Sequence, residues 1–185
     1  EFSGNAGHAI SSTNEMTFKG GVNAKINNNG LCAMYINTGK ISISADSTVE
    51  VSGNGKSEAA KGADARGAIN IAKASASLEV AKGATFTVTD NYTSAIRNNG
   101  TVTLGSGVIM RNGSMIPYGG GLNNFGTATV AEGVALYNNH AAASGDDIAS
   151  TGTLNIAKTG EGWALDGTEG TNDCTSAIDG WYKDG

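Results

Sequence analysis

The residues best suited to chemistry in this chain are carboxylates and aromatic rings set among small polar residues. Gly145-Asp146-Asp147 puts two carboxylates side by side, and paired carboxylates can act as acid and base on a glycosidic bond. Asp64, Arg66, Tyr92, Tyr118 and His140 offer partners of a different kind: rings beside charges suit sugar stacking and hydroxyl recognition, and equally suit a peptide. His8 and His140 have no nucleophile near them in the sequence, so neither reads as a general base. The two cysteines, Cys32 and Cys174, lie far apart and show no short ligand spacing with the histidines, so no metal and no cofactor is expected. They form a disulfide only if the tail folds back over several coils.

What must position these groups is a repeat. Ile96, Leu122 and Ile148 recur every 26 residues, and so do Gly100, Gly126 and Gly152, and Thr101, Thr127 and Thr153. Val102, Ala128 and Leu154 follow in the same register, then Leu104, Val130 and Ile156. A fixed period of this length marks a solenoid. Within each copy apolar and polar residues alternate, as in Val102-Thr103-Leu104, which is a strand period and not a helical one. Short strands turned at Asn and Gly predict an all-β chain, a parallel β-helix of about seven coils, each adding roughly 4.8 Å. The rule for parallel crossovers makes it right-handed.

A second signal, an inward apolar residue followed two positions later by Asn, runs through Phe2-Ser3-Gly4-Asn5, Ile26-Asn27-Asn28-Asn29 and Val51-Ser52-Gly53-Asn54. It continues in Val88-Thr89-Asp90-Asn91 and Leu136-Tyr137-Asn138-Asn139, while the Met110 copy has Asn112 early and Gly113 in the Asn place. Stacking predicts a structural column of Asn5, Asn29, Asn54, Asn91 and Asn139, each side chain bonding the turn of the next coil. The same residues are expected to take the left-handed backbone of the corner. After the corner an apolar strand resumes at Ala9-Ile10, Ala33-Met34, Gly67-Ala68-Ile69, Ala95-Ile96, Gly120-Gly121-Leu122 and Asp147-Ile148.

These paired signals resemble the repeat of chlamydial-type polymorphic outer membrane proteins, whose signatures are Phe-x-x-Asn and Gly-Gly-Ala-Ile. The resemblance covers about 2 to 156; only Phe2 keeps the Phe, and Gly67-Ala68-Ile69 and Gly120-Gly121-Leu122 come nearest the second signature. It implies a β-helix displayed on a bacterial cell surface, with adhesion to a host or environmental glycan or surface protein as its business. Because the motif begins at Phe2 with no cap before it, the chain reads as an excised segment of a longer one. The solenoid is expected over 1–165, with Trp163 and Leu165 in its last layer. Residues 166–185, including Trp181 and Tyr182, then form a cap or the start of another module.

The corner after the Asn column varies in length, being long before Ile69, short around Tyr92, and intermediate after Gly113 and Asn139. All these corners project from one edge, so Tyr92 is expected at the foot of a notch offering Asp64, Arg66, Tyr118, His140, Asp146 and Asp147. Variable insertions on one face of a solenoid often mark its binding face. Against this stand two other readings: a passive stalk with solvated turns, and a carbohydrate-active hydrolase or lyase built on the Asp146-Asp147 pair. The Asn-Thr-Asp, Gly-His-Gly and Arg-Ile-Lys motifs of polygalacturonase-like β-helices are absent, as are the spaced basic residues of a pectate lyase, which weighs against cleavage. The outward Thr pairs Thr101/Thr103 and Thr127/Thr129 resemble an ice-binding array, but Lys40, Glu79 and Asn155 interrupt it.

Composition narrows the rest. Net charge is −5 with only 12 Lys and Arg scattered along the chain, so no basic stripe awaits nucleic acid. Aromatics are 6%, so the core must be thin layers of Ile, Val, Leu and Ala. No apolar run approaches a membrane span.

Overall fold

In the computed structural model, which describes residues 1–57, 67–115, 118–156 and 181–183, every coil runs through three short strands. The first coil is β1 (Phe2–Ser3), β2 (Ile10–Ser12) and β3 (Glu15–Phe18); the second is β4 (Asn23–Asn27), β5 (Met34–Ile36) and β6 (Lys40–Ile43). The third is β7 (Thr48–Ser52), β8 (Ile69–Ile71) and β9 (Ser77–Val80), and the fourth β10 (Thr85–Thr89), β11 (Ile96–Asn98) and β12 (Thr101–Leu104). The fifth adds a short extra strand, giving β13 (Val108–Arg111), β14 (Ser114–Met115), β15 (Leu122–Asn124) and β16 (Thr127–Val130). The sixth does the same with β17 (Ala135–Tyr137), β18 (His140–Ala141), β19 (Ile148–Ser150) and β20 (Thr153–Ile156), after which comes β21 (Trp181–Lys183).

Like strands stack on like strands in three parallel sheets. Sheet A is β1-β4-β7-β10-β13-β17, sheet B is β2-β5-β8-β11-β15-β19-β21, and sheet C is β20-β16-β12-β9-β6-β3. The chain is therefore a parallel β-solenoid. With six strands in sheet A, about five full turns separate β1 from β17, fewer than the seven coils the sequence implies. The difference lies at the far end. Trp163, Leu165 and the expected boundary after 165 fall outside the described residues, and Trp181–Lys183 continues sheet B by pairing with β19.

The repeat columns are the strand register itself. Ile96 pairs with Leu122 and Leu122 with Ile148. Thr101, Thr127 and Thr153 align in sheet C, as do Leu104, Val130 and Ile156. Alternation turns one side of each strand inward, so the fourth coil contributes Phe86, Val88, Ile96, Val102 and Leu104, all fully buried. On the outer faces, Lys25 pairs across strands with Glu50 at 3.6 Å, and Lys40 with Glu79. The Glu79 hydrogen bond and charge raise the Lys40 pKa above its ordinary value. Coils approach closest at the turn between sheets B and C, where Gly100, Gly126 and Gly152 recur. A Cβ on Gly126 would collide with the Gly100 carbonyl, and one on Gly152 with the Gly126 carbonyl.

At the corner between sheets A and B the Asn column forms a continuous ladder. Asn5 donates from its backbone N and its Nδ2 to Asn29 Oδ1, at 3.0 and 2.8 Å. Asn29 does the same to Asn54 Oδ1 at 3.1 and 2.8 Å, and Asn54 to Asn91 Oδ1 at 2.9 and 3.1 Å. Spare Nδ2 protons reach carbonyls, Asn54 to Ile26 and Asn91 to Val51. One expectation is corrected here: the left-handed backbone belongs to the residue before each ladder Asn. Gly4, Asn28, Gly53, Asp90, Asn112 and Asn138 have φ of 69, 55, 62, 53, 54 and 51°. The physical reason is phase. Asn28, like Asn27 before it, faces outward, and the left-handed turn resets the alternation so that Asn29 points in and is buried.

Gly113 interrupts the ladder for a steric reason. A side chain there would run into the carbonyl of Gly120, where the longer corner folds back. Asn139 Oδ1 still accepts the Gly113 N–H at 2.9 Å, and Asn139 Nδ2 donates onward to Asp147 Oδ1. A second, shorter ladder lines the turn between sheets B and C. Asn98 Nδ2 donates to Asn124 Oδ1 at 2.7 Å and Asn124 Nδ2 to Ser150 Oγ at 2.9 Å, all three side chains being buried.

Asn54→Ala leaves the N–H and Nδ2 donors of Asn29 unpaired in the interior, and each buried group so orphaned costs about 1–3 kcal/mol. Urea unfolding followed by circular dichroism is expected to show a much larger loss for Asn54→Ala than for Asn5→Ala, whose side chain is exposed. Equal losses would mean that the ladder contributes no more inside the stack than at its end.

Candidate functional site

Sheets A and B are joined by corners at 4–9, 28–33, 53–68, 90–95, 112–121 and 138–147, and their unequal lengths fall on one edge of the solenoid. Nearly every candidate residue lies here. Tyr92 stands on the short fourth corner, 48% exposed, and Tyr118 on the fifth, 45% exposed. Tyr92 is anchored toward the third coil, its N–H donating to the Asn54 carbonyl at 2.9 Å. There Lys56 Nζ lies 5.7 Å from its ring centroid while donating to Asn28 Oδ1 at 3.0 Å. Asp64 and Arg66 lie outside the described residues.

The two longer corners are built alike and lean on each other. Ser114 and Met115 pair with His140 and Ala141, and Tyr118 bridges to Ser144. Ser94 of the short corner ties itself to their base, its Oγ donating to the Gly119 carbonyl at 2.6 Å. At equivalent points Gly119 and Gly145 take φ of 69 and 71°, which turns each corner back over the outer face of sheet B. A Cβ on Gly119 would come within 2.8 Å of Asn123, and one on Gly145 within 3.0 Å of Ala149 Cβ. Only glycine fits both the backbone and the contact.

The acidic pair divides. Asp146 is exposed and closes its own corner, Oδ1 accepting the Ala141 N–H at 2.8 Å with His140 Nδ1 at 3.7 Å. Asp147 is fully buried and bonded to Asn139, so it belongs to the interior and not to the open edge where the sequence placed it. The two carboxylates therefore do not face one substrate together. His8 is also absorbed into the fold: its Nδ1 accepts the Cys32 N–H at 3.2 Å and its ring stacks on Tyr35 with centroids 4.7 Å apart. Cys32 is buried and free, while Cys174 lies outside the described residues. Among the described residues no group of three or more His, Cys, Asp or Glu is placed to hold a metal ion. No helix among them is long and apolar enough to cross a membrane.

Two groups near this edge were not legible in the sequence. Lys56 is one; the other is Arg97, on the outer face of β11, whose guanidinium lies 5.2 Å from the ring centroid of Phe125. Phe125 is 44% exposed at the turn into sheet C, one coil further on. The pair spans 28 positions, off the 26-residue period, so no column betrays it.

No family model, no curated protein and no solved structure matches this chain.

Asp147→Ala removes the acceptor that ends the ladder and leaves Asn139 Nδ2 short of a partner in a buried site, an expected loss of about 1–3 kcal/mol. Thermal unfolding at neutral pH checks it; an unchanged midpoint would mean that Asp147 has no structural role.

Proposed function

We propose that this chain is part of a bacterial surface adhesin of the polymorphic outer membrane protein type, a binding module that contacts a glycan or protein without chemistry of its own. The observation that carries the reading is the placement of Tyr92 and Tyr118. Both are large rings left open to solvent, and both stand on the one edge where corner length varies. Rings held on a rigid stack lose little freedom on binding, which favours weak contacts repeated along a rod.

Two further features support the type. The Asn of each Phe-x-x-Asn-like signal stands in the ladder, and the Ile of each Gly-Gly-Ala-Ile-like signal begins a strand of sheet B, as in Ile69 and Leu122. The hydrolase reading loses support because Asp147 is buried and only Asp146 reaches the surface.

A broad glycan array probed with the purified chain tests this, with Tyr92→Ala and Tyr118→Ala alongside. Selective binding that falls about tenfold or more in either variant is expected, stacking on one ring being worth about 0.5–1.5 kcal/mol beyond the area it buries. Binding equal in all three proteins would remove the two tyrosines from the site, and no glycan bound at all would leave a protein ligand or a passive stalk.

A further inference from the structure

Arg97 stands apart from the other cations of this surface. Lys25 and Lys40 pair with Glu50 and Glu79, and Lys56 is committed to Asn28 and Tyr92. Among the described residues, the Arg97 guanidinium meets no carboxylate and makes no hydrogen bond. It is half-buried, resting against Phe125. Gly67 packs against it on the corner side, where a Cβ would come within 2.5 Å of the Arg97 N and 3.1 Å of its Cβ. In the next coil Gly119 folds over Asn123, the residue in register with Arg97. The arginine thus occupies the fourth coil, where the corner is short, next to a coil whose long corner covers the same face.

A second, independent observation sits one rung back. Asn70 pairs in register with Arg97, is only 3% exposed, and its Oδ1 has no hydrogen-bond donor. A buried amide oxygen left unpaired is uncommon, because it forfeits its bond to water without replacement. Adjacent rungs, about 4.8 Å apart, therefore hold an unspent fork of five donors and an unspent acceptor.

We infer that Arg97 and Asn70 form a subsite for a carboxylate-bearing sugar. The planar guanidinium, stacked by Phe125, leaves its N–H edge free for a bidentate carboxylate, the geometry arginine is built to recognise. The Asn70 oxygen asks for the opposite chemistry, a hydroxyl that donates. An acidic sugar carries both groups within one ring, whereas an acidic peptide carries the carboxylate without the hydroxyl. The subsite rests on the glycan-binding reading and assigns its ligand class.

Titration calorimetry with trigalacturonate, its methyl ester and a glutamate-rich peptide, on the wild-type chain, Arg97→Gln and Arg97→Lys, tests the assignment. Circular dichroism confirms that each variant keeps the fold. The expected result is binding of trigalacturonate that weakens about tenfold or more on esterification and again in Arg97→Gln, with Arg97→Lys between them because it keeps the charge and loses the fork. Ester and acid bound alike, or Arg97→Gln binding as wild type, overturns the subsite while the glycan-binding reading stands. A preference for the peptide overturns the sugar assignment, and no binding of either saccharide overturns both.

Discussion

A coil that closes on itself every two dozen residues has to bury its own corners, and the hydrogen bonds that make this tolerable run from one coil to the next. Asn29, Asn54 and Asn91 are inside the molecule because the chain must turn there, and a turn delivers peptide groups to a place that water does not reach. Each amide oxygen accepts two donors from the coil before it, and each amide nitrogen reaches onward or back to a carbonyl. The apolar layers between sheets fill whatever space the ladder leaves. Phe86 is the largest of the fully buried side chains, and Ile, Leu, Val and Met supply nearly all the rest.

That arrangement separates what must be constant from what is free to vary. Sheet registers and the ladder repeat from coil to coil, while the chain between ladder and sheet B is bound only at its ends. Long corners at 112–121 and 138–147 and a short one at 90–95 are all compatible with the same strand pairing. Where a corner is long it falls back on sheet B through a left-handed glycine, and where it is short the face of sheet B stays within reach, as at Arg97. The same long corner explains the gap at Gly113, since the space an Asn side chain needs is taken by the Gly120 carbonyl.

Much of this was legible in the residues. The 26-residue columns translate directly into strand pairing, and the Asn signal into the ladder, because a solenoid keeps sequence period and spatial neighbour in step. Three things escaped for definite reasons. The left-handed residue was sought at the ladder Asn, although a left-handed turn must precede the side chain it redirects. The Asn98–Asn124 ladder keeps the period but gives way to Ser150 on one side and Ile71 on the other, so it is too short to form a column. Asp147 was grouped with Asp146 because they are adjacent, yet the corner ends between them and sends one carboxylate out and the other in. Exposed Tyr92 and Tyr118 were found from corner length alone, whereas Arg97 and Phe125 meet only through the fold.

The ladder bonds and the sheet bonds point the same way, along the axis of the stack. A tensile load applied along that axis therefore pulls each interface open head-on, and coils are released singly, in a series of small steps, because each touches only its neighbours. The interface between the fourth and fifth coils is the seam where such peeling starts most readily, since Gly113 brings no side chain to it. A sideways load instead shears whole sheets at once and meets far greater resistance. The rod is thus mechanically anisotropic, extensible under tension along its length and stiff across it.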